Sequence, residues 1–107
     1  MPKYLVQVAF TPEGIKGTLQ EGGTARRKVV EQLAESVGAR LEALYYAFGA
    51  HDAYVIFDAP NNVAVAAATT TVATSGVGKL ETVVLITPEE MDEVARTNRA
   101  AYRPPGA

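Results

Sequence analysis

His51 is the only histidine in the chain, and it stands next to Asp52 at a predicted turn. Histidine changes charge near neutral pH and can serve as an acid, a base or a metal ligand, and a desolvated carboxylate can serve as a general base. Neighbouring side chains on an extended strand point to opposite faces, so a simple His–Asp pair is not expected. The structural alternatives are a polar residue tolerated at a turn and an Asp bonded to backbone amides, and we favour them for these two positions.

Two tyrosines and a glutamine complete the set of side chains with useful polar groups. Tyr45 and Tyr54 are predicted cross-strand partners, and Gln7 lies on the more polar face of the first strand. Their polar ends can orient a carbonyl or phenolic ligand, whereas the alternative is aromatic packing within the sheet. The candidate ligand-binding residues are therefore Gln7, Tyr45, His51, Asp52 and Tyr54, and the candidate catalytic residues are His51 and Asp52.

Several kinds of chemistry are excluded or disfavoured by composition. The chain has no cysteine, which removes disulfides, thiolate catalysis and cysteine-based zinc sites. One histidine without a ligand motif predicts no metal, and we expect no cofactor, haem included. A formal charge of −2 provides no field for phosphate backbones, so nucleic acid is not an expected partner.

A hairpin from Ala39 to Asp58, turning at Gly49 and Ala50, must position these residues. Both of its faces are largely apolar, which indicates that neither side of the sheet meets bulk water. An even number of turn residues places one set on one face: Leu44, Tyr46, Phe48, Ala53, Val55 and Phe57. The other face then carries Leu41, Ala43, Tyr45, Ala47, Asp52, Tyr54 and Ile56, and an odd number exchanges the cross-strand partners.

The other segments alternate between strand and helix periodicity. The predicted elements are a strand at Lys3 to Phe10, a short helical turn within a flexible connection at 11–23, a helix at Thr24 to Val37 capped by Thr24, a helix from Pro60-Asn61-Asn62 to near Gly76, a strand at Lys79 to Ile86, a short helix from Thr87 to about Arg96, and a tail at about 97–107.

This order predicts a single α+β domain over 1–107, a ferredoxin-like βαββαβ sandwich with a four-stranded antiparallel sheet. Both long helices then cover one face of the sheet, and the other face is too apolar to stay wet. Its predicted residues are Leu5, Ala9, Leu41, Ala43, Tyr45, Ile56, Val83 and Leu85. We therefore expect a homodimer or a higher oligomer that packs face to face around a cavity. Arg103-Pro104-Pro105 can extend onto a neighbouring subunit, with a disordered tail as the alternative.

Several short motifs are distributed over nearly the whole chain. They are KYLV from Lys3, TPEGIKG from Thr11, EGG followed by ARR from Glu21, LEALYYAFG from Leu41, Asp58-Ala59-Pro60, ITPEE from Ile86 and YRPPG from Tyr102. Together they resemble the GYD domain family of small bacterial and archaeal proteins in the dimeric α/β-barrel superfamily. That resemblance implies the ferredoxin-like fold and the barrel dimer. The family's glycine and aspartate match Gly49 and Asp52, but His51 stands where the family has tyrosine.

Two functions from different classes remain open. The first is a small-molecule-binding or regulatory oligomer, because no clear acid, base and nucleophile set is present. The second is a cofactor-independent enzyme, monooxygenase-like or isomerase-like, acting on a small apolar or aromatic substrate. The early start of the first strand disfavours a signal segment, and no apolar run is long enough to span a membrane, so we expect a cytoplasmic protein without a membrane partner.

Overall fold

The computed structural model describes residues 1–99 and 101–107. Eight elements follow one another along the chain: β1 (Lys3–Phe10), α1 (Pro12–Glu21), α2 (Gly23–Ser36), β2 (Arg40–Tyr46), β3 (Ala53–Asp58), α3 (Asn62–Thr74), β4 (Gly78–Leu85) and α4 (Pro88–Thr97).

The four strands form one antiparallel sheet in the order β2-β3-β1-β4. The two consecutive strands β2 and β3 are hairpin neighbours, while β1 and β4 are joined to them by helical crossovers. The predicted ferredoxin-like α+β fold is thereby confirmed, as are its four strands.

The core lies between the sheet and the helices α2 and α3. On β1 the alternate residues Tyr4, Val6 and Val8 are buried, and they pack in one cluster with Ala34 of α2 and Val65 of α3. This alternation follows from the two-residue period of a strand with one covered face. Within residues 1–99 and 101–107, no helix covers the opposite face of the sheet, where Tyr45 and Val83 are exposed.

The segment from Pro12 to Glu21 is a regular ten-residue helix, so the predicted short turn in a flexible connection is wrong. Thr11 caps it by accepting a hydrogen bond from the Gly14 N–H, with Pro12 in the first turn. Gly14 is buried because α1 lies directly on the backbone before β4: a Cβ there would lie 2.0 Å from the Val77 carbonyl oxygen. The glycine thus permits the helix to pack closely.

The start of α2 also differs from the prediction. The helix begins at Gly23, and its N-terminal cap is Gly22 rather than Thr24. Gly22 has a φ of 91°, a left-handed conformation that glycine adopts without steric cost. It therefore separates two successive helices with a single residue.

The hairpin connection is even, the first of the two cases considered, since the Ala47 N–H donates to the Asp52 carbonyl oxygen at 2.8 Å and Tyr46 pairs with Ala53. Two predicted face assignments are nevertheless wrong. A register shift between Leu41 and Ala43 leaves Leu41 opposite the core residue Phe57, because an extra residue in one strand exchanges the faces beyond it. Phe48 lies in the connection and is fully exposed.

The last helix projects from the domain. α4 begins with a capping box of Thr87 and Glu90, and every one of its residues is exposed. The radius of gyration is 17.0 Å, compared with about 13 Å for a compact domain of this length. The longest dimension, 57 Å, is nearly twice the next, 32 Å. This part of the chain therefore extends well away from the sheet.

Candidate functional site

The helix-free side of the sheet, called the open face below, carries apolar side chains in its middle. Leu5 of β1 lies between its cross-strand partners Ile56 of β3 and Val83 of β4. Val83 is exposed, whereas Leu5 and Ile56 are only half-buried. Three neighbouring strands thus form an apolar band without a covering layer.

A cluster of four polar side chains, called the His51 cluster below, adjoins this band at the hairpin end of the sheet. It consists of Gln7, His51, Tyr54 and Glu81. Gln7 lies between its cross-strand partners Tyr54 and Glu81. The His51 Nε2 lies 3.5 Å from the Glu81 Oε2, and the imidazole ring stands edge-on to the Tyr54 ring at 5.9 Å between centroids.

Burial within the His51 cluster is uneven. The His51 side chain is only 19% exposed, while that of Glu81 is 57% exposed. The carboxylate can therefore keep its hydration while the imidazole is largely shielded. Glu81 is thus the acidic side chain beside the imidazole.

Tyr45 extends the cluster towards the edge of the sheet. It is the direct cross-strand partner of Tyr54, and directly opposite residues of antiparallel strands lie on the same face. Tyr45 is 69% exposed. The two predicted tyrosines are therefore neighbours, and they offer aromatic surface beside the His51 cluster.

Asp52 has a different environment from the four other candidates. Its Oδ2 accepts a hydrogen bond from the Phe10 N–H at 2.8 Å, and its own N–H donates to the Val8 carbonyl oxygen at 2.7 Å. This carboxylate is used to join the hairpin to the end of β1. The geometry thus brings Gln7, Tyr45, His51 and Tyr54 together and engages Asp52 with the backbone.

Glu81 is the residue that sequence reasoning left out of the site. It was assigned to the correct strand, but its neighbours become apparent only when the register of three strands is known. The pairing of Gln7 with both Tyr54 and Glu81 is the signal that would have included it.

The other end of the open face carries ion pairs. The Lys3 Nζ lies 2.7 Å from Glu42 and 2.9 Å from Asp58, and the Arg40 guanidinium lies 3.5 Å from Asp58. Hydrogen bonds to Glu42 and Asp58 raise the pKa of Lys3. The hydrogen bond from Lys3, with a smaller effect of Arg40, lowers the pKa of Asp58. These charges stabilise one another across β1, β2 and β3.

A separate apolar cavity of about 90 Å³ lies between the sheet and the helix layer. Residues of α2, α3 and all four strands line it: Val6, Val8, Val30, Leu33, Ala34, Val37, Leu41, Val55, Phe57, Ala68, Thr69, Val72 and Leu80. The Thr69 hydroxyl donates to the Val65 carbonyl oxygen within the helix. The cavity therefore has no titratable group and reflects incomplete packing beneath an alanine-rich helix.

Two other classes of site are absent from the described part of the chain. Within residues 1–99 and 101–107, no three His, Cys, Asp or Glu side chains are grouped so that they could hold a metal ion. None of the helices in those residues is long and apolar enough to cross a membrane.

A comparison with protein families identifies the family of the chain. Residues 4–95 match the GYD domain. The chain belongs to the GYD domain family. No curated protein matches this GYD domain. The family is biochemically uncharacterised, so membership leaves the activity to be inferred from the geometry of the open face.

Proposed function

We propose that this GYD domain is a small-molecule-binding homodimer, with its ligand held at the His51 cluster between two open faces. The ligand class is a small apolar or aromatic molecule with one hydrogen-bonding group. The observation that carries the proposal is the shielded His51 imidazole beside Glu81 and Tyr54, at the end of an uncovered apolar band.

The dimer follows from the one-sided covering of the sheet. Leu5, Ile56 and Val83 form apolar surface on three adjacent strands, and burying about 400 Å² of such surface per subunit is worth on the order of 10 kcal/mol before association costs. The Lys3 ion pairs at one end and the His51 cluster at the other keep the ends of this face polar. A second copy of the chain can cover this face, because it presents the same apolar surface between the same polar ends.

The ligand class follows from the lining of the face. Ala9 and Ala43 are small and half-buried, so two such faces do not fill the space between them completely. The Tyr45 and Tyr54 rings offer flat apolar contacts, while Gln7, His51 and Glu81 offer hydrogen bonds. A molecule with an apolar body and one hydroxyl or carbonyl group satisfies both kinds of surface.

Native mass spectrometry of the freshly purified protein tests the proposal first, since it reports the number of subunits and any retained small molecule. Binding of 1-naphthol and of naphthalene, measured by fluorescence titration, then tests the role of the cluster. One hydrogen bond is worth about 1 kcal/mol, so 1-naphthol should bind about five- to tenfold more tightly than naphthalene.

His51→Ala should remove that preference. The matched control is Asp52→Asn, which changes the adjacent residue and should leave the preference intact, because the Asp52 carboxylate faces the Phe10 N–H. A monomer that binds neither compound, or an equal loss of preference in both variants, would refute the proposed site.

A cofactor-independent enzyme of the isomerase or monooxygenase type is the second candidate. The 3.5 Å contact between His51 Nε2 and Glu81 Oε2 favours it, because an imidazole with an adjacent carboxylate can take a proton from a bound substrate. Turnover with a bell-shaped pH dependence, lost in both His51→Ala and Glu81→Gln but kept in Asp52→Asn, would establish this reading. Binding without turnover would instead favour the first proposed function, a small-molecule-binding protein.

A further inference from the structure

α4 is an amphipathic helix whose apolar residues are exposed on its own domain. Met91 is 55% exposed and Val94 is 47% exposed, and residues three apart lie on the same side of a helix. Glu89, Glu93 and Arg96 lie on the opposite side, where Arg96 pairs with Glu93. One side of this exposed helix is thus suited to water and the other is not.

The helix is nevertheless strongly specified by its sequence. Thr87 accepts a hydrogen bond from the Glu90 N–H at 3.0 Å, and the Glu90 carboxylate accepts one from the Thr87 N–H at 2.8 Å. Pro88 stands in the first turn. An isolated helix shorter than about 12–15 residues is marginal in water, and α4 has ten. A well-capped helix of this length therefore needs a surface on which to pack.

We propose that α4 docks through Met91 and Val94 on a second copy of this chain. The helix follows directly from β4, whose Val83 and Leu85 belong to the open face. A copy packed on that face lies beside the start of α4. The inference extends the proposed homodimer, and the experiment below separates the failure of one from the failure of the other.

The size of the open face supports a second copy as the occupant. Four strands of about seven residues span about 24 Å by 19 Å, or about 450 Å² per subunit and 900 Å² for two. Stable interfaces bury about 1,200–2,000 Å² in total. One side of a ten-residue helix adds about 15 Å by 10 Å. Each α4 helix thus contributes about 150 Å² and covers an equal area of its partner. The two α4 helices of a dimer therefore add about 600 Å², which brings the total interface area into the usual range.

The absence of cysteine in the chain allows a direct test with single-cysteine variants. Val94→Cys places a thiol on the apolar side of α4, and Glu89→Cys is the matched control on the opposite side. The rate of reaction with Ellman's reagent is measured over a range of protein concentrations, with the association state determined by sedimentation. The Val94→Cys rate should fall at least tenfold as the protein associates, while the Glu89→Cys rate should stay constant.

A Val94→Cys rate that is the same before and after association would overturn the proposal, since α4 would then be free, bound to its own domain or reserved for another protein. A chain that stays monomeric at every concentration would also overturn it. If association is too tight to reverse by dilution, the double variant Met91→Glu/Val94→Glu provides the second measurement. Its dissociation constant should rise at least about 30-fold, since two half-exposed apolar side chains lose their burial.

An unchanged dissociation constant in the double variant would contradict docking of α4. Ile56→Glu, on the open face, provides the comparison. If Ile56→Glu abolishes association and the α4 variants do not, the proposed face-to-face dimer stands and the inference about α4 fails. If only the α4 variants weaken association, the face-to-face dimer fails and the docking of α4 stands.

Discussion

Two glycines in α1 should respond to alanine with opposite signs, although they are only one turn apart. A Cβ on Gly14 would lie 2.0 Å from the Val77 carbonyl oxygen and 2.9 Å from the Val77 carbonyl carbon. A Cβ on Gly17 would meet no atom within 4 Å. Gly14→Ala and Gly17→Ala therefore make the same chemical change in the same helix, but only Gly14→Ala creates a steric conflict.

The magnitudes follow from these contacts. Cβ atoms essentially never approach other atoms below 3.0 Å, so α1 must move by about 1 Å in Gly14→Ala. That movement strains the hydrogen bond from the Thr11 N–H to Val77, which is 3.0 Å long. Overpacking costs about 1–3 kcal/mol and a weakened hydrogen bond about 1 kcal/mol, against a helix-propensity gain of about 1 kcal/mol. The net loss for Gly14→Ala is about 2 kcal/mol, whereas Gly17→Ala should gain about 0.5–1 kcal/mol.

Urea unfolding followed by far-UV circular dichroism measures both values, with unchanged slopes as the check on two-state behaviour. A gain in both variants would refute the close approach of α1 to the segment before β4. A loss in both would refute a regular helix between Pro12 and Glu21, because alanine is favoured over glycine only where the backbone is helical.

Further predictions concern the cavity and the ion pairs. Val72→Ile should stabilise the protein by about 0.5–1 kcal/mol by filling part of the 90 Å³ cavity, whereas a loss of 1–3 kcal/mol in urea unfolding would indicate that the space is already packed. Asp58→Asn should cost about 0.5–1 kcal/mol at pH 7. The folded pKa of Asp58 lies below its ordinary value of 3.8. The stabilisation by the Asp58 carboxylate is therefore present above pH 3.8 and is lost as the pH falls through the folded pKa. Below that pH the wild type and the variant should have the same free energy of unfolding. Lys3→Gln should show the opposite pH dependence, because the pKa of Lys3 is raised above its ordinary value of 10.5. The stabilisation by the Lys3 ammonium group is present below pH 10.5 and is lost as the pH rises through the folded pKa. Urea unfolding at a series of pH values measures the effects of both substitutions. Differences in the free energy of unfolding that do not change with pH would contradict the ion pairs of Lys3 and Asp58.

The fold was predictable because its periodicities are local. The two-residue alternation of β1 and the helical spacing of α2 are each visible within one segment, and the crossovers then restrict the topology. The helix from Pro12 to Glu21 was predicted as a flexible connection because the segment from Gly14 to Gly23 is rich in glycine. Helix propensity ranks glycine as a helix breaker, whereas the missing Cβ of Gly14 lets α1 pack closely on the backbone of Val77, just before β4.

The face of Leu41 was not predictable from alternation alone. Both faces of the hairpin are apolar, so moving one residue from one face to the other leaves the hydrophobic pattern equally plausible. The register shift between Leu41 and Ala43 is a property of the pairing of β2 with β3. It lets the Glu42 carboxylate reach Lys3 of β1 while Leu41 joins the core.

The same distinction between local and cross-strand information explains the site. Asp52 adjoins His51 in sequence, yet its carboxylate is used by the Phe10 N–H, while Glu81 is thirty residues away and is the acidic neighbour of the imidazole. The open face therefore has hydrogen-bonding groups at one end, ion pairs at the other and apolar surface between. In the proposed dimer, a molecule bound at the His51 cluster would meet hydrogen-bonding groups at one of its ends and the apolar band along its body. Because a second polar group would have to be buried against the apolar band without a partner, the geometry favours ligands with a single polar end over charged or polyhydroxylated ones.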